Sequence, residues 1–135
     1  MIRDKKIKRT IGQDWAVVRE LESRISSKLY LAGGMIMYED RPEESYNLLL
    51  ILAYSVLGQV LSQLQNEEVI AKKSDKLGYM MKVSKITLTW QDYNTLDKGR
   101  EARNDLAHGA ILVEKNDCLK YINAIEVELK AWEVI

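Results

Sequence analysis

The run Leu48-Leu49-Leu50-Ile51-Leu52-Ala53-Tyr54-Ser55-Val56-Leu57 constrains the fold more than any other part of the chain. It lies inside a helical pattern from about Pro42 to Asn66, and through this run almost every direction around the axis is apolar. A helix that is apolar along one stripe can lie on a surface, whereas one that is apolar all round has to be enclosed on more than one side. In a chain of 135 residues, that leaves a central helix wrapped by the others or a helix shared with a second copy. The length is enough for one hydrophobic core without covalent staples. Ser55, Gly58 and Gln59 interrupt the greasy segment Leu48–Leu61, which is short for a bilayer span. A core helix is therefore expected, and no membrane partner.

The remaining segments read as helices that could do the wrapping. Asp14 to about Tyr38 carries Trp15, Val18, Leu21, Ile25, Leu29 and Ala32 three or four apart, the mark of a buried stripe. Gly33-Gly34 weakens its last turns, and Met35, Ile36 and Met37 either continue or bend it. Asp40-Arg41-Pro42-Glu43-Glu44 supplies a turn and a restart, with proline fit for the first helical position. After a polar stretch, about Asp75 to Lys85 has Leu77, Met80, Met81 and Val83 on one side, and Ile86 to Thr89 alternates as a short extended connector. Thr89-x-x-Asp92 resembles a capping box and predicts a helix from near Trp90 to about His108. Asn116 or Asp117 would cap a last helix bearing Leu119, Ile122, Ile125, Leu129 and Trp132. The expected fold is all-α, an antiparallel bundle of four to five helices with short loops.

Lysines and arginines equal aspartates and glutamates at 20 each, so the chain as a whole is no electrostatic magnet for nucleic acid. The balance is uneven: Arg3, Lys5, Lys6, Lys8 and Arg9 face only Asp4 at the start of the chain. Residues 1–12 read as a basic arm, solvated or phosphate-binding, ahead of a single helical domain, 13–135. With nearly half its residues apolar and 1 proline, the chain is globular, not disordered. The single cysteine, Cys118, permits no internal disulfide and fits a reducing, cytoplasmic setting as a packing residue. The basic start runs into Gln13-Asp14 and not into an apolar stretch, so no signal peptide is expected.

The chemistry gathers in Arg103-Asn104-Asp105-Leu106-Ala107-His108-Gly109, which holds the only histidine. Leu96, Gly99, Ala102, Leu106 and Ala110 mark the buried stripe of its helix. At about 100° per residue, Arg103 falls within that stripe, and Arg100, Asn104 and His108 follow around one flank. Each residue has a plain structural reading. Arginine at the edge of a core commonly lays its methylenes on apolar neighbours and pairs with an acid. Histidine before glycine is commonly the end of a helix, with glycine left-handed after it. Arg100 either adds phosphate affinity or pairs with a nearby carboxylate, while Glu101 and Asp105 point elsewhere and read as solvated or salt-bridged.

Taken together the residues suit RNA cleavage that requires no metal or other cofactor. The 2′-hydroxyl of RNA attacks the neighbouring phosphate, which requires proton transfer and positive charge. Imidazoles exchange protons near neutrality, and guanidinium grips phosphate oxygens with parallel hydrogen bonds. One histidine and no Glu-x-x-His pair leave too few ligands for the usual bundle metal sites. No nucleophile turn and no glycine-rich phosphate loop is present.

The segment Arg103-Asn104-Asp105-Leu106-Ala107-His108 resembles the R-x4-6-H signature of the HEPN superfamily, with its preferred polar residue after the arginine and the common following glycine. The expected helical bundle is similar to that family's fold, with the motif on a late helix. The resemblance implies a metal-independent endoribonuclease, often a toxin of a toxin–antitoxin pair or an antiviral abortive-infection effector, that dimerises so that two motifs share one cleft. It implies that Arg103 contacts the scissile phosphate, that His108 is the acid/base, and that Asn104 supports both. Partners implied are the RNA substrate, a second copy and a cognate antitoxin protein. Ala110 stands where a subgroup carries a modifiable tyrosine, so inhibition through that tyrosine is not carried over. Two other readings remain: a non-catalytic HEPN-like module that binds a nucleotide or a protein, and a plain helical interaction protein. Arg103 locked in an internal ion pair, with His108 turned from any cleft, would mark the non-catalytic module.

Overall fold

The apolar run is the axis of the molecule. A computed structural model describes residues 1–26, 29–32, 35–38, 43–71 and 74–135. Among them are five helices, α1 (Lys5–Ser26), α2 (Tyr46–Asn66), α3 (Leu77–Ser84), α4 (Tyr93–Gly109) and α5 (Lys115–Ala131). A two-stranded antiparallel hairpin, β1 (Leu29–Ala32) with β2 (Met35–Tyr38), lies between α1 and α2. The fold is an all-α bundle, as its periodicities predict. Helix α2 is packed by α1, α3, α4 and α5, and Leu49, Leu50, Ala53, Tyr54, Val56, Leu57, Val60, Leu61 and Leu64 are sealed from solvent along it. Full burial of each leucine is worth roughly 1.5–3 kcal/mol, which makes this helix the main source of core stability. Its outer side is not enclosed: Leu48 is exposed, Ile51 and Leu52 are half-buried, and Ser55, Gln59 and Ser62 face water. By length and hydropathy alone the longer helical stretch Glu43–Asn66, which contains Leu48–Leu61, could cross a membrane. Within this fold it is the core helix.

Several boundaries differ from the sequence expectation. Helix α1 begins at Lys5, so most of the expected basic arm is helical. Asp4 caps it, its Oδ1 accepting from the backbone N–H of Lys6 (3.0 Å) and Ile7 (3.1 Å). Ile7 and Ile11 extend the Trp15–Val18 stripe one turn at a time toward the N-terminus, and that packing holds the basic residues on the outer face. Glu67 ties down Arg3, accepting its backbone N–H at 2.7 Å, and takes a further hydrogen bond from Gln63 at 2.7 Å.

Helix α1 also ends at Ser26, and Leu29–Ala32 and Met35–Tyr38 pair as strands in the register Leu29↔Tyr38, Ala32↔Met35. The first helix therefore does not continue to Tyr38. Apolar and aromatic residues on both sides of a Gly-Gly pair are a hairpin signal as much as a weak helix, and pairing wins. Gly33-Gly34 and Asp40-Arg41-Pro42 themselves lie outside the described residues.

Around the later helices the corrections are smaller. Asp92, not Thr89, caps α4, its side chain accepting from Thr95 N–H at 3.2 Å. Helix α5 starts after Glu114 with no side-chain cap, so Asn116 and Asp117 lie inside its first turn. Ile86 and Thr87 form a turn closed by Leu88 N–H to Ser84 C=O at 2.7 Å, not an extended connector.

An aromatic cluster locks this corner. Trp90 meets Trp132 and Tyr93 edge-on, with ring centroids 4.7 and 5.2 Å apart. Its indole N–H donates to the buried Ser84 hydroxyl at 3.0 Å, and Trp132 donates to Thr89 C=O at 3.1 Å. Glu128 of α5, fully buried, accepts the backbone N–H of Gln91 at 2.6 Å. Burial pushes its carboxyl above the ordinary range, with the backbone donors of Gln91 and Asp92 opposing. The end of α3 and the start of α4 are thereby fixed to α5, which sets the angle between the helices that carry the site.

Candidate functional site

Helix α4 is built in two halves. Leu96 and Gly99 are buried, and the phenol of Tyr54, itself sealed in the core, donates to Leu96 C=O at 2.8 Å. Gly99 is required by the close approach of three helices: a Cβ there would collide with the Tyr54 hydroxyl and lie 2.7 Å from the Tyr121 ring. Beyond this crossing the expected stripe fades. Ala102 and Leu106 are only half-buried, and residues from Ala107 to Ala110 are exposed. The helix closes with Ala110, not Gly109, in the left-handed region at φ 53°. His108 is therefore inside the last turn, and the plain helix-end reading with a left-handed glycine does not hold.

The four residues singled out on α4 come together. Arg100, Arg103, Asn104 and His108 line one cleft of about 700 Å³, whose opposite wall is Lys76, Leu77, Gly78, Tyr79 and Lys82 of α3 and its cap. That volume is within the range of small-ligand sites. The lining carries Lys76, Lys82, Arg100 and Arg103 and, among the described residues, no carboxylate, so a chain of zero net charge gathers cationic side chains here. A cleft of one sign focuses the field on anions.

The two arginines differ. Arg100 Nε donates to Asp97 at 2.8 Å, and its Nη2 is 3.7 Å from Glu101. Its charge is compensated, as the ion-pair alternative had it. The guanidinium also lies against α3, since a Cβ on Gly78 would be 3.0 Å from its Nη1. Arg103 has no carboxylate within ion-pair distance among the described residues. Its Nη1 donates to the neutral amide oxygen of Asn104 at 3.2 Å, and its buried Nε has no hydrogen-bond partner among them. Asn104 thus orients the arginine; its described hydrogen bond does not run to His108. Among the described residues no three His, Cys, Asp or Glu side chains converge.

Lys76, Tyr79 and Lys82 were not singled out from the sequence. They recur at a spacing of three, Lys76 at the N-cap and Tyr79 and Lys82 on the polar side of a short helix whose buried residues are Met80, Met81 and Ser84. Such a face is ordinarily solvated, and only the placing of α3 on α2 opposite the α4 flank makes it a wall. Cys118 is fully buried, its thiol pushed up to about 11 chiefly by that burial, in keeping with a packing role.

Comparison with protein-family models, with curated proteins and with solved structures finds no match.

Proposed function

We propose that this chain is a metal-independent endoribonuclease of HEPN type. The observation that carries the reading is the cleft in which Arg103, Asn104 and His108 meet while Arg103 has no acid partner among the described residues. An anion entering there meets a guanidinium without first breaking an ion pair, so the charge is available to a phosphate and to the extra charge of its transition state. In the proposed reaction the 2′-oxygen forms a bond to phosphorus as its proton leaves, and the bond from phosphorus to the 5′-oxygen breaks as that oxygen takes a proton. The products are a 2′,3′-cyclic phosphate and a 5′-hydroxyl. His108 is assigned proton transfer, Arg103 the phosphate oxygens, and Asn104 the positioning of Arg103 through their hydrogen bond. Arg100, held by Asp97, contributes at most long-range attraction to RNA.

A homodimer belongs to the proposal. One histidine per chain leaves a second proton-transfer group to come from a second copy. Exposed Ile111 and Leu112 follow the motif directly. Exposed Leu48 is close by, because the neighbouring Asn47 accepts Val113 N–H at 2.8 Å and donates to Val113 C=O at 2.9 Å. A cytoplasmic toxin or abortive-infection effector, with an antitoxin protein covering the cleft, is the biological role we propose.

The test is cleavage of a labelled RNA in EDTA by wild type, His108→Ala and Arg103→Ala, with matched DNA as control. Cutting of RNA alone, lost in both variants and leaving cyclic-phosphate ends, is expected. Equal cutting by the variants refutes the assignment of the chemistry to this cleft, and intact RNA throughout refutes the ribonuclease and leaves a non-catalytic nucleotide- or protein-binding module.

A further inference from the structure

We infer that the α3 wall carries a base-binding subsite, with Tyr79 as the platform on which an unpaired base beside the bound phosphate stacks. Lys76 and Lys82 hold the backbone on either side of it. The inference rests on the ribonuclease reading of the same site and adds a base-stacking residue on the opposite wall.

Three observations converge. Tyr79 lines the cleft and is 49% exposed although it is a large aromatic residue. The other aromatic residues flanking α3 are engaged: Trp90 is bonded to Ser84, and Tyr93 lies under Lys85, whose Nζ is 4.2 Å from its ring centroid. Tyr79 has no such partner among the described residues and no place in the core. Second, Lys76 and Lys82 lie three residues to either side of Tyr79 and line the same cleft, with no ion pair among the described residues. A cation on each side of an aromatic face is the pattern of single-strand tracks, where bases stack and the backbone follows positive charge. Third, Gly78 lets the Arg100 guanidinium lie directly against this turn of α3. The α4 flank and the aromatic wall are therefore adjoining surfaces of one cleft. A base in a duplex is already stacked on both faces and cannot offer one to Tyr79 without being extruded. An unpaired base can.

Fluorescence anisotropy on the His108→Ala protein tests this without interference from cleavage. The probes are a labelled single-stranded RNA of mixed sequence and its duplex. Adding Tyr79→Ala is expected to weaken single-strand binding by about five- to a hundredfold, while Tyr79→Phe restores it, as stacking and not the hydroxyl is used. The duplex should bind more weakly and respond little to Tyr79. Lys76→Ala with Lys82→Ala should flatten the salt dependence of single-strand binding by up to about 1.4 in log–log slope. Equal affinity of Tyr79→Ala and its parent, or a duplex bound as tightly as the single strand, overturns the inference. Cleavage by otherwise wild-type protein is scored separately. RNA cut at an unchanged rate by Tyr79→Ala sinks the platform and leaves the ribonuclease standing. Tyr79-dependent binding without any cleavage sinks the ribonuclease and leaves a single-strand binding cleft.

Discussion

Replacing Gly99 by alanine tests how the motif helix is seated. Alanine is the better helix former by about 1 kcal/mol, so a freely exposed Gly99 would make the substitution stabilising. The structure demands the opposite. The new methyl would collide with the Tyr54 hydroxyl and lie 2.7 Å from the Tyr121 ring. Tyr121 is partly exposed and can yield, but Tyr54 is sealed in the core and bonded to Leu96 C=O. Overpacking of a core typically costs about 1–3 kcal/mol, and losing that hydrogen bond adds about 1 kcal/mol. Offset by helix propensity, the net loss is about 2 kcal/mol, or roughly 8 °C in Tm at about 4 °C per kcal/mol. Tyr54→Phe removes the obstructing oxygen and should cost about 1 kcal/mol alone. Combined with Gly99→Ala it should be nearly as stable as Tyr54→Phe itself. Urea unfolding of the four proteins in this cycle gives the coupling, expected to exceed about 1 kcal/mol. Additivity within about 0.5 kcal/mol, or a Gly99→Ala protein more stable than wild type, refutes the steric account.

Two further predictions concern the ends of helices. Ala110 is exposed in the left-handed region, so Ala110→Gly should stabilise by roughly 0.5–1 kcal/mol as relief of strain exceeds the added chain entropy; a lower Tm would contradict this. Glu67 is held down to about 2 from its ordinary 4.5, first by Gln63 and then by the backbone N–H of Arg3. Its contribution is therefore full above pH 4.5 and lost as pH falls toward about 2. Thermal melts of wild type and Glu67→Gln should differ most near neutrality and converge in acid, and a gap that widens in acid would refute the linkage.

What was legible in the sequence followed from local pattern. Helix α2 was plain because no other arrangement hides its apolar run, and the α4 flank was plain because angular position depends only on spacing. The hairpin was not, because residues Leu29–Ala32 fit the stripe of α1 and the pairing of β1 with β2 equally well. The basic N-terminal segment conceals a helix, since its charges suit a solvated arm as well as an outer helix face, while Ile7, Ile11 and the Asp4 cap carry the structural information. The far wall of the cleft was out of reach for a deeper reason. Lys76, Tyr79 and Lys82 acquire meaning only from the placing of α3 on α2 opposite the α4 flank, with the corner between α3 and α4 held by Trp90, Trp132 and Glu128 across long separations.

The contrast between the arginines separates a residue kept for chemistry from one kept for structure. Arg100 has Asp97 and Glu101, and an arginine placed for stability is expected to be paired in this way. Arg103 buries Nε without a partner among the described residues and donates only to a neutral amide. Leaving a buried donor unsatisfied costs about 1–3 kcal/mol, a cost the fold carries unless a ligand relieves it. Arg103→Met keeps most of the aliphatic stem on the core and removes the unpaired donor. It should therefore raise the stability of the free protein by about 1 kcal/mol, about 4 °C in Tm, while abolishing RNA cleavage. Arg100→Met is the control and should be neutral or destabilising, because it strands Asp97. Calorimetry on the three proteins decides the matter: a loss of 1 kcal/mol or more in Arg103→Met would mean that Arg103 serves the fold. A gain accompanied by loss of cleavage is the trade between stability and activity expected of a functional group.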